Sequence, residues 1–170
     1  MTIRRSLALA ALIGFGAASA AVTARAEAYG GIDVGSRAVK ARLFVFQGNG
    51  ETRNTTELYN RTVPISLATS ITEGKFSDKA IKETAAAVAQ VLGQMTEIAR
   101  TQKLGEVQYF VLGGSGLTGV GNLDQLRAGI AEQTGGFGIT FIDSRTESYH
   151  GLRSAVPEPR EPPAPSSSWR

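Results

Sequence analysis

Apolar and polar residues alternate strictly along Val39-Lys40-Ala41-Arg42-Leu43, and Val45 keeps the apolar register. A period of two predicts a half-buried strand with Val39, Ala41, Leu43 and Val45 on one face and Lys40 and Arg42 on the other. Upstream, residues 29–33 read as a short buried strand. Only residues 34–38 separate the two runs, so a hairpin is expected, with Gly35 supplying backbone freedom at the corner. After a polar loop over residues 48–54, residues 58–67 read as a third strand ending near Pro64.

The period then changes. Ile81, Ala85, Val88, Leu92, Met95 and Ala99 step by three or four, predicting a long helix that runs to about Gln102. Ser77 suits its N-cap and Asp78 its first turn. Residues 107–112 predict a strand, and residues 113–121, GGSGLTGVG, a glycine-rich loop. Asn122 with Gln125 suggests a capping box for a second helix whose apolar face uses Leu123, Leu126 and Ile130. Gly135-Gly136 ends it, residues 139–142 form another strand, and residues 146–152 open a third helix. The order β-β-β-α-β-α-β-(α) implies an α/β fold with a mixed sheet, ligands binding at the carboxyl ends of its parallel strands.

The two ends of the chain change the electrostatic picture. Arg4-Arg5, an apolar run over residues 7–22 and Ala24-Arg25-Ala26 match a secretory presequence over residues 1–26. The adjacent arginines raise a twin-arginine route. The expectation is an exported protein, periplasmic or secreted, with no stable membrane anchor after cleavage. Three of the 18 basic residues fall in that segment and no acid does, so 15 remain against 15 acidic residues. Without a basic excess, the footprint of a nucleic-acid binder is missing. There is no cysteine, which excludes disulfides, thiolate metal sites and cysteine nucleophiles. Residues 153–170 hold five of the six prolines and read as an extended tail. Residues 27–152 are left as one lobe.

Within that lobe, Asp33-Val34-Gly35-Ser36 followed by a strand resembles the first phosphate loop of the exopolyphosphatase/guanosine pentaphosphatase (Ppx/GppA) family, part of the sugar kinase, actin and heat-shock ATPase superfamily. Thr72-Glu73-Gly74-Lys75-Phe76-Ser77-Asp78-Lys79-Ala80-Ile81 is similar to that family's T-G-x-L-S-x-x-A-I entry into its first long helix. Residues 113–122 match its glycine-bearing loop ending in Asn. Gln133-Thr134-Gly135, the following strand and Thr146-Glu147-Ser148 resemble its E-T-G, strand and E-E-A. The resemblance implies a single ribonuclease H-like (actin-like ATPase) lobe. It implies a phosphoric anhydride hydrolase acting on polyphosphate or a phosphorylated small molecule such as a nucleotide. Glu147 would be the catalytic carboxylate. Asp33, Gly35, Ser36, Arg37 and the Gly113, Gly114 and Ser115 backbone would hold phosphate, with Asp33 holding Mg²⁺ through water. A tight Gly-Ser turn suits this physically, because its amides can converge on phosphate oxygens and the hydroxyl adds a donor.

The sequence departs from the family at four positions. Thr118 and Gly114 stand where the loop usually carries Arg and Thr, Arg37 replaces an Asn, and Thr146 replaces the first Glu of E-E-A. The guanidinium of Arg37 suits phosphate oxygens and so replaces some lost positive charge. The family cleft also has a second lobe with another phosphate loop, whereas the match here covers only the first. A homodimer partner or a separate chain is therefore expected to complete the cleft. A noncatalytic phosphate-, anion- or partner-binding lobe is the alternative. A dinucleotide-binding unit is a further alternative, since Gly114-Ser115-Gly116-Leu117-Thr118-Gly119 fits G-x-G-x-x-G and Asp143 ends the next strand. Asp33 capping its own turn and Glu147 complementing a helix N-terminus are the plain structural readings. His150 is the only histidine, so no multi-histidine metal site exists. Asn54 and Asn60 match the short glycosylation pattern.

Overall fold

The structure, a computed structural model, describes residues 26–48 and 54–155, with side chains up to Tyr149. The expected presequence apart from Ala26, the tip of the 48–54 loop, the side chains from His150 onward and residues 156–170 lie outside the described residues.

Five strands form one mixed sheet in the order β3-β2-β1-β4-β5. β1 (Glu27–Val34), β2 (Ala38–Gln47) and β3 (Asn54–Pro64) run as an antiparallel meander. β4 (Val107–Gly113) pairs parallel to β1, and the two-residue β5 (Thr140–Phe141) parallel to β4. The helices are α1 (Asp78–Thr101), α2 (Leu123–Gln133) and α3 (Ser144–Ala155). This is the expected mixed α/β order.

The alternation in β2 is realised in full: Val39, Ala41, Leu43 and Val45 are buried. They meet Ile32 and Val34 of β1, Val111 of β4, and the α1 stripe of Ile81, Ala85, Val88, Leu92 and Met95. Each fully buried Val, Leu or Ile contributes about 1.5–3 kcal/mol, so this layer dominates the stability of the lobe. The Ser77 side chain accepts from the Ala80 amide at 3.2 Å, as its N-cap role requires. α2 lies against α1 where Gly129 brings the helices together; a Cβ there would meet Ile81 at 3.4 Å.

Several boundaries differ from expectation. β3 ends at Pro64 as expected but begins four residues earlier, at Asn54, because cross-strand hydrogen bonding to β2 carries its polar first half despite the absence of an apolar pattern. β5 is shorter, and α3 starts two residues earlier because the Asp143 carboxylate accepts the Thr146 amide at 2.7 Å and caps the helix. It runs three residues past the expected lobe boundary at Leu152. Gly35 does not need positive φ; its role is close approach, since a Cβ would stand 3.3 Å from the Ala38 carbonyl oxygen. Asn122 makes no side-chain cap on α2. Its side chain instead accepts from the Phe76 amide at 2.8 Å and donates to the Phe76 carbonyl at 2.9 Å, tying the chain before α1 to the chain before α2. The Gly121 amide donating to the Gly74 carbonyl at 2.9 Å reinforces that tie.

Candidate functional site

β1 and β4 are parallel neighbours ending together, with Val34 beside Gly113. The β1–β2 turn and the glycine-rich loop therefore leave the sheet side by side. α3 begins after β5, one strand further, and its first turn swings Glu147 onto that loop. Asp33, Gly35, Ser36, Arg37, Gly113, Gly114, Ser115 and Glu147 thus meet at one end of the sheet.

The turn is held from behind. The Gly35 amide donates to the Ala38 carbonyl at 2.9 Å, and the Ser36 and Arg37 carbonyls accept the Ala68 and Ile65 amides, both at 2.9 Å. In a trans peptide N–H and C=O point in opposite directions, so anchoring the Ser36 carbonyl turns the Arg37 amide away from residue 68. Among the described residues, neither the Ser36 nor the Arg37 amide donates to another group of the chain. The Ser36 hydroxyl and the exposed Arg37 guanidinium stand on the same corner.

The glycine-rich loop is more occupied than its sequence suggests. The Gly114 amide donates to the Val34 carbonyl at 3.1 Å, and the Ser115 amide donates to Glu147 Oε2 at 3.0 Å. Residues 115–117 form one 3-10 turn, and α2 begins only at Leu123. The expected donors therefore narrow to the Ser36 and Arg37 group, with Ser115 shared with a carboxylate. Gly116, which sequence reasoning passed over, has an amide that donates to no group among the described residues. The G-x-G-x-x-G stretch does not open a helix, and Asp143 is engaged in capping α3.

Two carboxylates face this corner with opposite electrostatics. Burial at the strand end pushes Asp33 above the ordinary aspartate range; Lys40, its cross-strand neighbour, opposes this, and the Glu147 charge adds to it. Hydrogen bonding from Ser115 holds Glu147 below the usual range. Among the described residues no group of three or more His, Cys, Asp or Glu side chains could form a metal cage. Asp33 and Glu147 are the two carboxylates at this corner, near enough for the Glu147 charge to act on Asp33. Asn54 and Asn60 are exposed on β3, the edge strand. No described helix is long and apolar enough to cross a membrane.

No protein-family model and no curated protein matches the chain. Solved structures do. A Ppx/GppA family member from Aquifex aeolicus superposes with a TM-score of 0.59 at 18% identity, covering 76% of this chain and 39% of that one. An exopolyphosphatase from Cytophaga hutchinsonii gives 0.55 at 21% identity, covering 77% and 40%. An exopolyphosphatase-like protein gives 0.59 at 16%, covering 73% and 35%. At these identities the likeness establishes the fold alone, which is shared with one part of these structures. The chain matches about two fifths or less of the length of these proteins.

Proposed function

We propose that this lobe binds a phosphate-bearing anion at the Ser36–Arg37 corner and forms one wall of a Ppx/GppA-type phosphatase cleft. The substrate class is polyphosphate or a phosphorylated small molecule. The observation that carries this reading is the convergence of the β1–β2 turn, the glycine-rich loop and Glu147 at the ends of two parallel strands. The Ser36 and Arg37 amides, the Ser36 hydroxyl and the Arg37 guanidinium hold phosphoryl oxygens, a fork geometry suited to phosphate. Glu147, pinned by Ser115 and kept ionised, is a weak base but a well-placed acceptor for one proton of a water. That suits phosphoryl transfer, which depends on positioning and charge stabilisation more than on proton abstraction. When bound beside Asp33 and Glu147, Mg²⁺ would supply charge neutralisation at the phosphoryl oxygens.

A second reading, a noncatalytic anion- or partner-binding lobe, is favoured by one observation: the Ser115 amide already donates to Glu147 rather than standing open to a phosphoryl oxygen. Hydrolysis also requires water to be excluded by an opposite wall. In this account that wall comes from outside the described residues, and the presequence reading puts the assembly outside the cytoplasm.

Phosphate release from polyphosphate in Mg²⁺, measured alongside oligomeric state, tests the catalytic reading. Release abolished by Glu147→Gln supports it. Absent release, or release indifferent to that substitution, contradicts it. Calorimetric binding of tripolyphosphate that is retained without turnover, and lost in Ser36→Ala/Arg37→Ala, supports the noncatalytic lobe.

A further inference from the structure

On the face of the sheet away from α1 and α2, aromatic rings and charges are sorted along the strands. Tyr29, Phe44, Phe46 and Phe110 form one connected cluster. Tyr29 meets Phe46 edge-on with ring centroids 5.6 Å apart and stacks on Phe110 at 6.5 Å, and Phe44 lies 6.4 Å from Phe46. Phe110 is 50% exposed and Leu112 40%, although β4 lies inside the sheet and not at its edge. An exposed apolar patch of this kind marks an interaction surface.

Shape and charge on this face are both self-complementary. Tyr29 projects a ring, whereas Gly31, two residues on and on the same side of β1, projects nothing. A Cβ at Gly31 would meet no atom within 4 Å, and a hollow of about 360 Å³ opens there, walled by Arg42, Phe44 and Phe110. Knob and hole therefore stand side by side on one strand. The charges follow the same axis. Glu57 is level with Phe44 and Tyr29, and Glu27 accepts from the Tyr29 hydroxyl at 3.2 Å. Arg42 is level with Gly31, and Lys40 with Asp33. The carboxylates at the Tyr29 end repel a polyanion. A second copy turned end for end instead brings Arg42 to Glu57, and Glu57 to Arg42.

We propose that this face packs against the same face of a second copy, about a two-fold axis that crosses the strands at the level of Gly30. Closed dimers use such self-complementary patches, and stacked sheets lie about 10 Å apart with their strands nearly aligned. The axis sets the strands of the two copies antiparallel and brings the level of residue 29 over that of residue 31. Tyr29 of each copy then enters the hollow over Gly31 of the other. Phe44 of each lies over Arg42 of the other, a cation–π arrangement. Arg42 stands one strand spacing, about 4.8 Å, to the side of Glu57 of the second copy, within reach of its long side chain.

Sedimentation of the whole chain over a range of concentrations reads the pairing, and a reversible dimer is expected. Gly31→Leu fills the hollow and is expected to raise the dissociation constant ~10-fold or more by overpacking the interface. Arg42→Glu alone and Glu57→Arg alone each set like charges against one another twice across the axis, and each is expected to weaken the dimer. Mixing these two variants restores both pairs, because each copy carries the sign that the other lacks, so the mixture is expected to dimerise where neither variant does alone. Both charge positions are exposed, so these variants keep the test open if Gly31→Leu disturbs the strand. A chain that stays monomeric at millimolar concentration overturns the proposal, and a different partner then covers the face. A dimer indifferent to all three substitutions overturns the assignment to this face. Failure of the mixture to dimerise overturns the two-fold register.

Discussion

Replacing Asn122 with Ala removes both hydrogen bonds that its carboxamide makes to the Phe76 backbone, at 2.8 and 2.9 Å, and the 3.0 Å bond to Gln125. Phe76 is 3% exposed, so its backbone amide and carbonyl gain only partial access to water in compensation. At about 1 kcal/mol net per hydrogen bond, plus part of the desolvation cost of the orphaned pair, the expected loss is about 2–3 kcal/mol. With a urea slope in the ordinary range of ~1–3 kcal/mol/M, that lowers the unfolding midpoint by about 0.7–3 M. Far-UV circular dichroism is the right probe, because Trp169, the only tryptophan, lies far from this contact in the sequence. Asn122→Asp separates hydrogen bonding from side-chain volume. It keeps the acceptor for the Phe76 amide but turns a carboxylate toward the Phe76 carbonyl, so at neutral pH it is expected to lose at least as much as Ala. An Asn122→Ala protein within ~0.5 kcal/mol of the parent, the scatter of ordinary surface substitutions, would refute the view that this carboxamide joins the two helix entries.

Other expectations concern the site and the sheet. Folding raises the Asp33 pKa, so ionised Asp33 costs stability at neutral pH, and the cost fades as pH falls through the raised value. Asp33→Asn is therefore expected to stabilise the lobe at neutral pH and to have no such effect below the ordinary aspartate pKa, as read by chemical denaturation across pH. Glu147 has the opposite sign: folding lowers its pKa, so its contribution is full above the unfolded value and is lost on acidification. In a carbon-detected NMR titration, Glu147→Gln should move the Asp33 midpoint down and Lys40→Met should move it up; an unmoved midpoint in both contradicts the coupling. A Cβ at Gly30 would overlap the Tyr109 ring and one at Gly113 the Phe141 ring. Gly30→Ala and Gly113→Ala should each cost about 1–3 kcal/mol by overpacking. Gly31→Ala, into open space, should instead be neutral or gain up to about 1 kcal/mol in thermal or urea unfolding, since Gly inside a strand is the poorer choice.

Elements whose burial is one-sided and whose ends are chemically marked were legible in the sequence. α1 combines an unbroken apolar stripe with a Ser77 cap, and it forms within a residue of expectation. β2 announces itself because its inner face is uniformly aliphatic. Where hydrogen bonding or tertiary packing overrides local pattern, legibility fades. The first half of β3 is polar on both faces and is a strand only because β2 offers it partners. Asn122 looked like a cap because its spacing to Gln125 fits one, yet the nearby Phe76 backbone, 46 residues earlier, claims its carboxamide. Asp143 looked like a strand end and instead starts α3. The grouping of Asp33, Ser36, Ser115 and Glu147 follows from strand order, which motif order anticipated. Which amides remain available did not follow from sequence, because Gly35 and Gly114 spend theirs within the fold. The aromatic outer face is not marked by the pattern of β2, because Phe44 shares its side of the strand with the charged Lys40 and Arg42.

The central claim is that a phosphate-bearing anion is held at the corner formed by Ser36, Arg37 and the Ser115–Glu147 pair. The most direct measurement is an amide NMR titration of the whole protein with tripolyphosphate, followed residue by residue. The account predicts saturable shifts centred on the Ser36, Arg37, Ser115 and Gly116 amides, abolished at the first two by Ser36→Ala/Arg37→Ala. Shifts centred elsewhere on the molecule, or none at these four amides, would contradict it.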